Sequence, residues 1–118
     1  MSDEATLLDV HEAEPGVQVV TLLGELDYSN LPEVRDHVYG VVSQAHGVVI
    51  DVRKLKFIDS NGLGFILQVH RRMHEKAGRM VLVSTSSHME KLLRISGLEA
   101  VLPVHADEAS AVAAVKGG

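Results

Sequence analysis

The segment Val48-Val49-Ile50-Asp51-Val52 constrains this chain more than any other stretch of it. A strand with one face in water alternates apolar and polar residues, whereas a nearly continuous β-branched run suits a strand covered on both faces. Covering both faces calls for helices packed on a sheet, so the run predicts an α/β fold with this segment near the centre of the sheet.

The flanking sequence supplies those helices. Residues 6–11 and 17–23 read as strands, and Glu14-Pro15-Gly16 between them has the turn chemistry of an antiparallel hairpin. After Asp27-Tyr28-Ser29-Asn30, apolar residues at Leu31, Val34, Val38, Val41 and Val42 follow one helical face, with Ser29 or Asn30 as cap and Pro32 in the first turn. A second helix starts near Ser60 and carries Leu63, Ile66, Leu67 and Val69 to about Ala77, where Gly78 offers a stop. Residues 80–83 form another buried strand. Ser86 or Ser87 opens a third helix that Gly97 ends. Residues 101–104 form a short strand that Pro103 confines to an edge. An alanine-rich helix from about Asp107, with Val112 and Val115 on one face, closes the chain. The order β-β-α-β-α-β-α-β-α predicts a mixed, mostly parallel five-stranded sheet with an N-terminal antiparallel hairpin and about four helices. At 118 residues, positions 1–118 fit a single domain.

Composition excludes several classes of function. Without cysteine there is no disulfide, thiolate zinc site or cysteine nucleophile. The start Met-Ser-Asp-Glu-Ala is acidic rather than signal-like, and no run approaches the ~20 apolar residues of a membrane helix, so the expected location is the cytoplasm, with no membrane partner. A net charge of −5 works against nucleic acid as a partner, and the basic stretches Arg53-Lys54-Leu55-Lys56 and His70-Arg71-Arg72 are short. His70 and His74 share a helical face at the i, i+4 spacing of zinc ligands, but neither H-E-x-x-H nor an evident third ligand accompanies them, so no metal is expected. Gly62-Leu63-Gly64 lacks the third glycine of a dinucleotide loop, where Leu67 stands, and no phosphate-binding G-x-x-x-x-G-K-[ST] occurs; no cofactor is expected. Glu25 and Asp27 alternate on a strand end, which suits a partner contact at Asp27 better than paired acid–base carboxylates.

In open α/β sheets ligands and partners meet the loops at the carboxyl ends of the strands, and residues 55–64 read as such a loop. Asp59 and Ser60 can each cap the following helix, and Gly62 and Gly64 either permit tight packing of helix on sheet or leave backbone open to a partner. Two glycines in the first turns cost about 1 kcal/mol each relative to alanine, which adds weight to a contact surface.

The string F-I-D-S-N-G-L-G-F-I-L at residues 57–67 closely resembles the D-S-S-G-L-G or D-S-T-G-L segment of STAS domains, particularly bacterial anti-sigma factor antagonists. G-E-L-D at 24–27, V-V-I-D-V at 48–52 and L-L-R-I-S-G-L at 92–98 resemble further motifs of that family in the same order, so the likeness spans nearly the whole chain. It implies a non-enzymatic regulator that binds an anti-sigma factor serine/threonine kinase, which holds the ATP, and that accepts phosphate at Ser60. It also implies a phosphatase that reverses the modification and a contact surface at Asp27, Asp59, Asn61, Gly62, Leu63 and Gly64. The chain departs from many relatives at Asn61, where they carry a second hydroxyl residue; Asn cannot accept phosphate, so Ser60 is the only acceptor in the segment. The alternative role implied by the same resemblance is a non-phosphorylated scaffold or an accessory subunit of a transporter.

Overall fold

The computed structural model describes residues 7–116. Strands β1 (Leu8–Glu14) and β2 (Val17–Leu22) form the antiparallel hairpin, joined by Pro15-Gly16 with Gly16 at φ +83. A short β3 (Gly24–Leu26) leads to α1 (Leu31–Val42), then β4 (Gly47–Asp51), β5 (Leu55–Ile58), α2 (Ser60–Glu75), β6 (Arg79–Val83), α3 (Ser87–Ser96), a 3-10 turn at Leu98–Ala100, β7 (Val104–His105) and α4 (Glu108–Lys116). The main sheet has the order β1-β2-β4-β6-β7, antiparallel at β1–β2 and parallel elsewhere, while β3 and β5 pair parallel in a separate two-stranded sheet.

Every residue of β4 is buried, and alternate residues enter different cores. Val48 and Ile50 pack with Val34, Val38, Phe65, Ile66, Val69, Met89 and Leu93 beneath α1, α2 and α3. Val49 turns to the opposite face and joins Val17, Val19, Val81 and Val83 beneath Ala111 and Val115 of α4. A polar residue at position 48, 49 or 50 would face helices whichever way it pointed, which is why the run shows no alternation.

Several boundaries differ from the sequence reading, each for a local reason. Strand β1 extends to Glu14 because the two-residue turn lets Glu14 pair with Val17; the expected start at Thr6 lies outside the described residues. The expected second strand ends one residue early, at Leu22, and Gly24, at φ +70, redirects the chain from the main sheet into an unexpected strand of the small one. Residues 55–58 belong to a strand rather than to an open loop. Helix α2 ends at Glu75, and the left-handed residue beyond it is Ala77, at φ +62, rather than Gly78. Gly78 is required for space instead: a Cβ there would lie 2.7 Å from the His46 carbonyl oxygen and 2.7 Å from Cε of Met73. The last strand falls at Val104–His105, just past Pro103, and in α4 it is Ala111, not Val112, that is buried with Val115.

Asp51 ends the central strand with its carboxylate buried and held by Arg53, whose Nη2 lies 2.8 Å from Oδ2 and whose backbone N–H donates to Oδ1 at 3.0 Å. Burial alone would raise its pKa, but the hydrogen bonds and charge of Arg53 outweigh burial and hold the carboxyl below its usual range. A depressed native pKa stabilises the fold above the unfolded value of about 4, and that contribution disappears as pH falls through the native value. The stability gap between wild type and Asp51→Asn, measured by urea unfolding, is therefore expected to be widest near neutral pH and to narrow steadily below about pH 4. A gap that does not change with pH would show that the pair is not electrostatically linked to folding.

Candidate functional site

The small β3–β5 sheet places two loops side by side. Leu26 ends β3 and Ile58 ends β5 in register, both buried, so residues 27–30 and 59–61 emerge together. The first loop is held by its own side chains. Asp27 accepts from the Ser29 N–H at 2.9 Å and from the Ser29 hydroxyl, while Asn30 accepts from the Asp27 N–H at 3.1 Å and donates to the Glu25 carbonyl at 2.7 Å. Asn30 is the N-cap residue of α1, but its side chain closes this loop and does not cap the helix.

Asp59 is the N-cap of α2. Its Oδ1 accepts from the Gly62 N–H at 2.9 Å, its Oδ2 accepts from the Tyr28 N–H at 3.3 Å, and its own N–H donates to the Leu26 carbonyl at 3.2 Å. The Gly62 N–H, helped by the Asn61 side chain and the Tyr28 N–H, outweighs desolvation and holds the carboxyl below its usual range, so Asp59 is ionised at neutral pH. One carboxylate thus caps the helix and fastens the 27–30 loop to it.

With Asp59 as cap, Ser60 becomes the first helical residue. It is exposed, and its hydroxyl makes no hydrogen bond with the described residues. Asn61 and Gly64 are exposed beside it, and a Cβ on Gly64 would meet nothing within 4 Å. Gly62 differs: it is buried, and a Cβ there would lie 2.6 Å from Ile58 Cγ1 and 3.0 Å from the Leu26 carbonyl. The expected open backbone is found at Gly64, whereas Gly62 serves tight packing of α2 on the small sheet. Leu63 is half-buried against the main core. Glu25 sits exposed on β3 and Asp27 in the turn beyond, where both Ser29 hydrogen bonds fall on Asp27 Oδ1.

Two residues absent from the sequence reading adjoin this surface. Tyr28 is 75 % exposed and Phe57 52 % exposed, on the two loops and strands that Asp59 joins. Only four Phe and Tyr residues occur in the chain, and the other two, Tyr39 and Phe65, pack together at 5.8 Å. The signal was their scarcity: an aliphatic core that spends half its aromatics outside marks them as contact residues.

His70 and His74 stack on α2 with ring centroids 6.5 Å apart, and among the described residues no group of three His, Cys, Asp or Glu is placed to hold a metal. Arg53 of the basic stretch is engaged by Asp51, and Arg72 lies over the Tyr39 ring at 3.7 Å. Among the described residues no helix is long and apolar enough to cross a membrane.

A mixed sheet that holds a capped helix start with an exposed serine, and exposed aromatics on the adjoining loop and strand, suits a binding surface. Residues 10–111 match the STAS domain. An anti-sigma F factor antagonist of Paenibacillus polymyxa is 32 % identical over 103 residues, covering 86 % of this chain and 88 % of the relative. The crystal structure of an anti-sigma factor antagonist from Mycobacterium paratuberculosis superposes with a TM-score of 0.79 at 25 % identity over 92 % of each chain. The Bacillus cell fate determinant SpoIIAA in its phosphorylated form gives 0.70 at 25 % identity, covering 87 % of this chain and 95 % of that one. The chain belongs to the STAS domain family, in its anti-sigma factor antagonist branch.

Proposed function

We propose that the unphosphorylated protein binds an anti-sigma factor serine kinase and so frees its sigma factor, and that phosphorylation of Ser60 ends the binding. The observation that carries this reading is the exposed Ser60 hydroxyl, free of partners among the described residues, beside a cap that Asp59 already supplies. A serine needed only as a cap would be engaged with the helix start.

The kinase holds ATP in the cytoplasm and transfers its γ-phosphoryl group to Ser60 Oγ; the serine proton passes to a base on the kinase and ADP leaves. A phosphatase restores the hydroxyl by hydrolysis. Asp27, Tyr28, Phe57, Asp59, Asn61, Leu63 and Gly64 form the contact surface, with the aromatics as its apolar anchors. Gly62 supports it from beneath.

Incubation with the cognate kinase and ATP is expected to add one phosphate, mapped by mass spectrometry to Ser60, and none to Ser60→Ala. Phosphate found on another residue, or persisting in Ser60→Ala, would overturn the assignment.

A further inference from the structure

The far end of α2 borders a second feature. Parallel pairing joins Leu82 and Val83 of β6 to Val104 and His105 of β7 and goes no further back. The Leu82 and Ser84 N–H groups donate to Pro103 and His105, so by alternation the Met80 N–H and carbonyl face the same edge. The next ladder bond toward the strand start would run from residue 103 to the Met80 carbonyl, and Pro103 has no N–H to give. The ladder stops there, and over the uncovered half of β6 lies a cleft of about 310 Å³.

Its polar side chains are His70 and His74 from α2, Arg79 from β6 and His105 from β7, and α4 contributes Ala114. None of the lining residues is acidic, although the chain carries a net charge of −5. Arg79 donates one weak hydrogen bond, from Nη1 to the Ala114 carbonyl at 3.3 Å, which leaves most of its donor fork free. His105 meets the Ser110 hydroxyl through Nδ1 at 3.3 Å, leaving Nε2 uncommitted among the described residues, and the carboxylate close enough to feel its charge, Asp107, lies outside the lining and accepts from the Ser110 N–H at 2.8 Å. On the other side of His70 and His74 a groove carries Arg71 and Glu75, and Glu75 is the one carboxylate among the residues lining either recess.

The geometry points to this cleft as a binding site for a small oxyanion, a phosphate or a carboxylate, held by the Arg79 guanidinium and the imidazoles of His70, His74 and His105. The volume lies at the lower end of the range of ligand pockets, enough for a small metabolite. A guanidinium fork matches the two oxygens of either group. Burial, and then the neighbouring His74, hold the His70 imidazole below its usual range, so a bound anion that favours protonation would draw in protons. Affinity then rises as pH falls. The site is independent of the Ser60 switch: His70 and His74 lie ten and fourteen residues along α2, about 15 and 21 Å from Ser60 along its axis.

The test is an NMR titration of the histidine side chains and the Arg79 Nε–H with sodium phosphate and, separately, citrate, at constant ionic strength against sodium chloride. Saturable shifts at His70, His74 and His105 are expected with one of the two oxyanions, tighter at pH 6 than at pH 8 and weakened at least tenfold by Arg79→Gln. His74→Gln, at an exposed position, is a second variant expected to weaken binding, and thermal melts of both confirm folding. Whichever of phosphate and citrate saturates identifies the group recognised. Saturation by neither, shifts equal to those from chloride, or binding unaltered in folded Arg79→Gln would overturn the site.

Discussion

Ser60→Asp is expected to bind the cognate anti-sigma factor at least about a hundredfold more weakly than wild type, with folding stability changed by no more than about 1 kcal/mol. In the free protein the new carboxylate would stand at the start of α2, where the helix dipole favours a negative charge by some tenths of a kcal/mol to about 1. Ionised Asp59 next to it opposes that gain, so the two effects largely cancel. In a complex, a partner packed flush on this surface would have to strip water from two adjacent carboxylates, at a cost of several kcal/mol, and each 1.4 kcal/mol is a factor of ten. Phosphoserine, with about −1.5 to −2 charges, should weaken binding further. Calorimetric titration of wild type, Ser60→Asp and Ser60→Ala, with thermal melts of each, makes the comparison. Retention of wild-type affinity by Ser60→Asp would sink the switch. Loss of affinity in Ser60→Ala as well would mean that the hydroxyl is a contact in its own right.

The sequence made the main sheet legible because its inner strands β4 and β6 are buried on both faces, its hairpin carries turn residues, and its helices keep a 3.6-residue period. Val48 to Val52 has no polar face to confuse the reading, and Val34, Val38 and Val42 are all buried where the spacing put them. The small sheet was not legible. Gly24–Leu26 is too short to show a period, and Lys56 and Phe57 are both exposed, so β5 shows none of the alternation by which a strand is recognised. That sheet nevertheless positions the site, since it brings Tyr28 to Asp59. At the site itself, the residue types of D-S-N-G-L-G identified the cap and the serine, but assigning the cap to one of two eligible neighbours needed the backbone. Asp59 is extended at φ −100, ψ −177 and takes the Gly62 N–H, which leaves Ser60 free.

The two glycines of the segment invite one argument from sequence and require two from structure, and alanine substitution separates them. Both lie in the first turns of α2, where replacing Gly by Ala should add about 1 kcal/mol of helix stability if nothing else changes. At Gly64 nothing else does, because the Cβ enters open space. Gly64→Ala is therefore expected to stabilise the fold by about 0.5–1 kcal/mol, and to weaken the anti-sigma complex if the partner approaches this backbone. At Gly62 the same methyl would sit 2.6 Å from Ile58 Cγ1 and 3.0 Å from the Leu26 carbonyl. Ile58 is buried and the Leu26 carbonyl accepts the Asp59 N–H, so relief has to come from shifting α2 away from the small sheet. Overpacking of this kind costs about 1–3 kcal/mol, and with backbone on one side of the methyl the cost lies above the propensity gain, so Gly62→Ala should be destabilising by up to about 2 kcal/mol. For a domain of this size that is a fall in Tm of up to about 8 °C. The shift would also loosen the Tyr28–Asp59 link, so partner binding should weaken although no contact atom has been removed. Melting temperatures that move in the same direction for both variants would show that the close approach at Gly62 does not constrain the helix, and the packing role assigned to it would be withdrawn.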